Sequence, residues 1–417
     1  MKRIGMMAIA ATALLAANAA TATAAKRPRP TDVPPARVQS DVAPNGFQVY
    51  NDYATPARIY DSRRAVVHYV VVGIDAPALN DDDADGVPDY VERVGDAADT
   101  AIAYYEQRGF AQILPDAGGP DVRPDLYISR FAPGSFGVAF PAARAEGGAF
   151  VAVSNALDPS PSTSLGSLYG TVAHELFHLT QFSYYPPTTD PELASWALEG
   201  MAAAMESRVY PELDDIVASL QLRRWFAAPQ RSVTSQTYGS QLLWRYLDER
   251  QPRLLHAYLA RSGRAGEDAR GASLVSTYAR VAHEPFAAAF GRFAVWTKDW
   301  YGDRLTPLRR LAGRGDAGGS VAPLGIHYLR LSRTTRSVSL RFTRSRGEAA
   351  LTYELASDRP GDPAASRRLR ARLVNGSREL TYAIPGALRR SDRFEAPTLV
   401  VANGNPARRV TYRVVTR

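Results

Sequence analysis

The 417-residue chain contains no cysteine. Disulfides, cysteine-type zinc fingers, iron–sulfur clusters and thiol catalysis are therefore excluded, and any staple must be a metal or plain packing. Nor does any segment reach the ~18 consecutive apolar residues of a membrane-spanning helix. Internal repeats of solenoid length are missing, as is the aromatic-interleaved basic strip that single-stranded nucleic acid needs. The formal net charge of +8 is also unevenly placed. Residues 326–417 hold 19 Arg against 7 acidic residues, an excess of 19 − 7 = 12, while Asp75 to Asp99 is acidic. The basicity belongs to the tail, and nucleic acid is not an expected partner. With 45% hydrophobic and 22% charged residues, the rest should fold into two or three domains.

Lys2 and Arg3 precede an apolar run, Ile4 to Ala17, and then small residues that suit a signal peptidase. Residues 1–25 therefore read as a secretory signal, with a secreted, extracellular protein as the consequence. Residues 26–58, rich in Pro and Arg, read as a leader or pro-segment. The run Ala65 to Ile74 predicts a buried strand and Tyr90 to Arg108 a helix stopped by Gly109; Asp125 to Ser129 and Ala149 to Ser154 predict two more strands. Helices are expected from Leu168 to about Ala312. After the glycines at 313–319, alternation in His327 to Leu331, Val338 to Phe342 and Val410 to Val415 predicts a β-sandwich over 320–417.

The informative segment is His174-Glu175-Leu176-Phe177-His178. On a helix, i and i+4 stand one turn apart on one face, so two imidazoles can reach one ion while the adjacent Glu addresses the water that ion binds. Leu168, Val172, Leu176 and Leu179 form one apolar side; Thr171, His174, His178 and Gln181 form a polar stripe. Catalytic zinc takes three protein ligands, and the third is open at this point. The spacing that needs Gly and then His after the second His fails, because those positions are Gln181 and Tyr184. Glu199, 21 residues after His178 on a second predicted helix, is the leading choice, with Glu206 and Asp190 as rivals. Zn2+ would activate water for attack on a peptide carbonyl, with Glu175 as general base. A donor for the oxyanion is sought in Tyr238, at a helix start, with His256 and His283 as alternatives. The strand at Ala149 to Ser154 could offer its edge to an extended peptide.

HELFH followed by WALEG resembles the gluzincin arrangement of thermolysin-like and aminopeptidase-like zinc peptidases. The strings HYVVVG, DDDADGVPDYVE, AHELFHLTQF and WALEGMAAAME, with the late Arg-rich region, resemble a family of secreted bacterial metalloproteases over roughly residues 66–330. The resemblance implies His174, His178 and Glu199 as zinc ligands, Glu175 as base, and an α+β, two-lobed zincin-like catalytic domain over 59–315. In that domain a mixed sheet carrying the active-site helix precedes a helical lobe. Thermolysin-like enzymes place an Asp four residues after the ligand Glu to orient a His; here that position is Ala203, leaving Ser195 and Glu206 as candidates for the role.

Asp81 to Glu92 matches a twelve-residue calcium loop, with Asp81, Asp83, Asp85, Val87 (by its carbonyl), Asp89 and Glu92 as oxygen ligands and Gly86 at the sharp turn. Pro88 stands where an apolar pairing residue is usual. Ca2+ there would be structural, pinning the strand before the loop to the helix after it. The Arg-rich C-terminal region would suit an anionic cell-surface polymer as partner, although an Arg bias spread over a soluble β-domain is the simpler reading. The two functional readings are a zinc metallopeptidase acting on protein or peptide and a catalytically inert zinc- and calcium-stabilised cell-surface binding protein. They differ at Glu175, which a purely structural site would not need.

Overall fold

The computed structural model describes residues 31–32, 57–114, 122–140, 149–159, 167–184, 193–213, 220–265, 268–302, 304–306, 309–343, 348–352, 379–384, 386 and 396–417. The expected signal segment, nearly all of the leader, and Asp190 lie outside them. The described chain is α+β, with eight α-helices and fourteen strands. Among the described residues no helix is long and apolar enough to cross a membrane.

The first sheet comprises β1 (Thr31–Asp32), β2 (Arg58–Asp61), β3 (Val66–Tyr69), β4 (Asp125–Ser129), β5 (Gly137–Phe140) and β6 (Phe150–Ser154), in the order β1-β2-β3-β4-β6-β5. Its centre, β3-β4-β6, is parallel, while β1, β2 and β5 run antiparallel to their neighbours. All residues of the three central strands are buried, which explains their unbroken apolar character: a parallel centre is covered on both faces. The strand expected over Ala65 to Ile74 ends at Tyr69. Gly73, at φ +90°, turns the chain out and leaves Val72 and Ile74 exposed. β6 is paired on both sides, so the edge expected of it belongs instead to β5, which among the described residues pairs with β6 alone.

Helix α1 (Asp89–Gln107) joins β3 to β4 and buries Tyr90, Val91, Val94, Ala98, Ala101 and Tyr105, an apolar stripe at helical spacing. Its Tyr105 hydroxyl donates to the Ala173 carbonyl at 2.7 Å, tying it to α2 (Leu168–Phe182), which in turn packs against α3 (Ser195–Val209). Burial of each Leu and Val on the apolar side of α2 contributes ~1.5–3 kcal/mol, enough to seat a helix whose other side is polar. Five helices follow: α4 (Leu220–Ala227), α5 (Gln241–Arg250), α6 (Leu254–Ala265), α7 (Ala272–Ala282) and α8 (Phe286–Tyr301).

The C-terminal strands are β7 (Arg309–Leu311), β8 (Gly315–Val321), β9 (Ile326–Leu331), β10 (Ser337–Phe342), β11 (Glu348–Thr352), β12 (Glu379–Ala383), β13 (Thr398–Ala402) and β14 (Val410–Thr416). They form two four-stranded sheets, β12-β10-β14-β8 and β11-β13-β9-β7. Leu329, Leu331, Leu399 and Val401 of one sheet share a core with Val338, Leu340, Val410 and Val414 of the other. The intervening residues Ile326, Tyr328, Val400 and Ala402 join the core of the helices, as a period of two requires. Of the glycines read as a break, Gly315, Gly318 and Gly319 are in fact part of β8: Gly319 lies under the Tyr412 ring, where a Cβ would stand 2.4 Å from it. The strand region accordingly starts at Arg309, earlier than the expected 320.

Candidate metal centre

Helix α2 is capped at Ser167, whose hydroxyl accepts the Gly170 amide at 3.5 Å, and it presents His174 and His178 one turn apart. Their rings sit 4.8 Å apart at 79°. From α3, Glu199 Oε2 lies 3.3 Å from His174 Nε2 and 3.7 Å from His178 Nε2. Two ligands held at ~2.1 Å in a tetrahedral site stand roughly 3.4 Å apart, so these separations fit a zinc-sized cation. One donor atom from each of the three residues lies within 4.8 Å of the others, and both imidazoles are buried.

The outer ring nitrogens are also engaged. His174 Nδ1 meets Glu206 Oε1 at 2.8 Å, and His178 Nδ1 meets Gln181 Oε1 at 2.7 Å. The Gln181 amide nitrogen donates to the Leu198 carbonyl at 3.0 Å, so its oxygen is the end that faces His178. With Nδ1 turned to Glu206 and to Gln181, both Nε2 atoms face Glu199. Glu206 therefore sits behind His174, outside the group of His174, His178 and Glu199 that could hold an ion. It stands seven residues after Glu199, two helical turns on, and supplies the carboxylate that Ala203 cannot. Ser195 is exposed at the start of α3. The role of Gln181 was not anticipated, although its place in the polar stripe of α2 was a signal for it.

Glu175 is buried beside this group. Burial raises its pKa, against the opposing fields of His174 and His178. For Glu199, burial is outweighed by hydrogen bonds to the two histidines, which hold its carboxyl far below the usual range. For His174, burial opposes the charge, but bonds to Glu199 and Glu206 lift its pKa to about 10. The negative potential responsible is the one that would favour a dication between these atoms.

Tyr238 belongs to a short 3-10 turn, Tyr238–Ser240. Its ring centroid lies 6.1 Å from that of His174; the residue is 37% exposed, and partial burial together with the Glu199 charge raises its pKa, keeping the hydroxyl protonated. Gly200 lets this turn sit against α3: a Cβ there would fall 1.8 Å from Ser240 Oγ, which donates to the Trp196 carbonyl at 2.6 Å. By contrast, His256 Nδ1 is 2.8 Å from the Tyr184 hydroxyl, and His283 ends α7 in a left-handed conformation.

In the acidic loop, Asp81, Asp83 and Asp85 bring carboxylate oxygens within 4.8 Å of one another. Asp81 accepts the amides of Asp85 (3.1 Å) and Gly86 (2.9 Å), and Gly86 turns at φ +93°. Asp89 instead accepts the Asp82 amide at 3.0 Å, Val87 is buried in the core, and Glu92 is buried in the first turn of α1.

No family model and no curated protein matches the chain. The crystal structure of PirA aligns with 24% of this chain and 93% of its own, at 21% identity and a TM-score of 0.18. That superposition is too poor to carry an argument.

Proposed function

We propose that the chain is a secreted zinc metallopeptidase of gluzincin type, with a two-lobed zincin-like catalytic part followed by a C-terminal β-sandwich. The observation that carries the reading is the convergence of His174 Nε2, His178 Nε2 and the Glu199 carboxylate beside a buried Glu175. His174, His178 and Glu199 would hold the ion, with Glu206 and Gln181 orienting the imidazoles. Zinc bound there supplies Lewis acidity, polarising a carbonyl and lowering the pKa of water toward ~7.

Glu175 takes the proton of the attacking water and returns it to the leaving amine; its raised pKa suits a group that must do both. The Tyr238 hydroxyl donates to the oxygen that gains charge. An extended peptide pairs with the edge of β5, which gives main-chain recognition with little demand on sequence. Asp81, Asp83 and Asp85 centre a structural calcium site. The Arg-rich sheets suit an anionic cell-surface polymer. A surface protein without turnover would have no use for a buried carboxylate next to a ligand, so Glu175 favours catalysis over an inert scaffold.

The test is casein hydrolysis by the purified protein, with and without a zinc chelator, beside Glu175→Gln. A loss of about 10²–10⁴-fold in the variant, with zinc retained, supports the base role. Equal turnover by both proteins rejects it.

A further inference from the structure

The backbone of β5 crosses the zinc-site helix at Gly137. A Cβ at that position would stand 2.8 Å from Glu175 Cγ, 3.0 Å from Glu175 Oε1 and 2.9 Å from Thr171 Cγ2. All three are side-chain atoms of α2, and two of them belong to the residue assigned as base. Real Cβ contacts do not come this close, so the absence of a side chain at 137 is what allows the strand to lie directly over the Glu175 carboxylate.

We infer that Gly137 is a positioning residue for catalysis: the bare backbone of the edge strand forms the wall that holds the Glu175 side chain in its working direction. The inference rests on the reading of Glu175 as general base. The three nearest atoms that a Cβ would meet all belong to the Glu175 and Thr171 side chains, so a collision falls first on the torsions of those two side chains. An off-rotamer torsion is a small cost that a folded domain tolerates. The same rotation carries a carboxylate oxygen away from the water it must deprotonate, and displacement by about 1 Å is enough to cost ~10²-fold in rate. His174, His178 and Glu199 are not among the three nearest atoms, so the expectation is an unchanged metal affinity.

Gly137→Ala should therefore keep its zinc stoichiometry, melting temperature and KM while kcat falls about a hundredfold. A crystal structure of the variant should show the Glu175 side chain rotated away. Because the effect runs through Glu175, adding Gly137→Ala to Glu175→Gln should cost nothing further. Full kcat in Gly137→Ala while Glu175→Gln is inactive overturns the inference alone, as does an additive loss in the double variant. Equal activity in Glu175→Gln overturns the base role itself. If Gly137→Ala does not fold, Gly137→Ala/Thr171→Ala removes one of the two collisions and takes its place. Depressed kcat with zinc bound supports the inference, and wild-type kcat overturns it.

Discussion

His174 uses both ring nitrogens: Nε2 faces Glu199, and Nδ1 is held by Glu206 at 2.8 Å. In the proposed zinc site that division would tune the metal affinity, because an imidazole free to rotate or to change tautomer presents its lone pair only part of the time. Glu206→Ala should lower zinc affinity about 10–100-fold, measured by competition with a chromophoric chelator, while leaving the fold intact. An unchanged dissociation constant would refute the role. At this scale the sequence is legible where chemistry demands a spacing. His174, His178 and Glu199, whose donor atoms do converge, can be picked out because one helix turn and the geometry of a shared ion suggest such a spacing. Glu206 is legible only as a residue on the right face, and Gly137 not at all, since nothing in a short Gly-Val-Ala-Phe string tells which helix will lie beneath it.

Among the elements, β9 and β14 show how a strand's alternation assigns chemistry as well as packing. His327 of β9 points toward the facing sheet, where its Nδ1 lies 2.8 Å from the Tyr412 hydroxyl. Burial depresses its pKa from the ordinary 6.5 to about 4. The fold therefore favours neutral imidazole. The associated stability is complete above about pH 6.5, where the unfolded chain is also neutral, and is lost as pH falls toward 4 because only the unfolded chain gains the proton. Between pH 7.5 and 4.5 this term amounts to about 2–3 kcal/mol. Urea denaturation of His327→Gln should show a pH dependence flatter than wild type by that amount; parallel curves would rule the term out. Strands with strong alternation, such as Val338 to Phe342, were readable because both faces had distinct destinations. The strand β8 was not, because its glycines resemble a loop until the Tyr412 ring is seen lying over Gly319. Likewise, the edge role passes from β6 to β5 because pairing order is a long-range property that no local run encodes.

Across the whole molecule, the acidic loop links two layers: it follows β3 and its chain, and leads straight into α1. Ala84, at φ 57°, and Gly86 both take left-handed conformations there, and three carboxylates converge. Such a loop is costly unless a cation offsets the repulsion. Calcium at a hundred times its dissociation constant should stabilise the fold by about 2.7 kcal/mol. Thermal melts should show a calcium-dependent rise that Asp81→Asn/Asp85→Asn abolishes; identical melts with and without calcium would remove the site. The order of sheet, helices and late strands was legible from the switch in hydrophobic period. The way the late strands attach to the helices was not, because Ile326 and Tyr328 look the same in sequence whether they face a helix or water.

That attachment limits how the protein can be dissected. The Tyr328 hydroxyl donates to the Ala294 carbonyl at 2.9 Å, and Gly404 lies so close to Ala287 that a Cβ would stand 2.5 Å from its Cα. A recombinant fragment ending before Arg309 would uncover the flank of α8 and the apolar residues that Ile326, Tyr328, Val400 and Ala402 now shield. It would behave as a sticky, poorly soluble piece and not as a self-contained domain, so expression of the part that holds His174, His178 and Glu199 calls for the C-terminal strands to be kept.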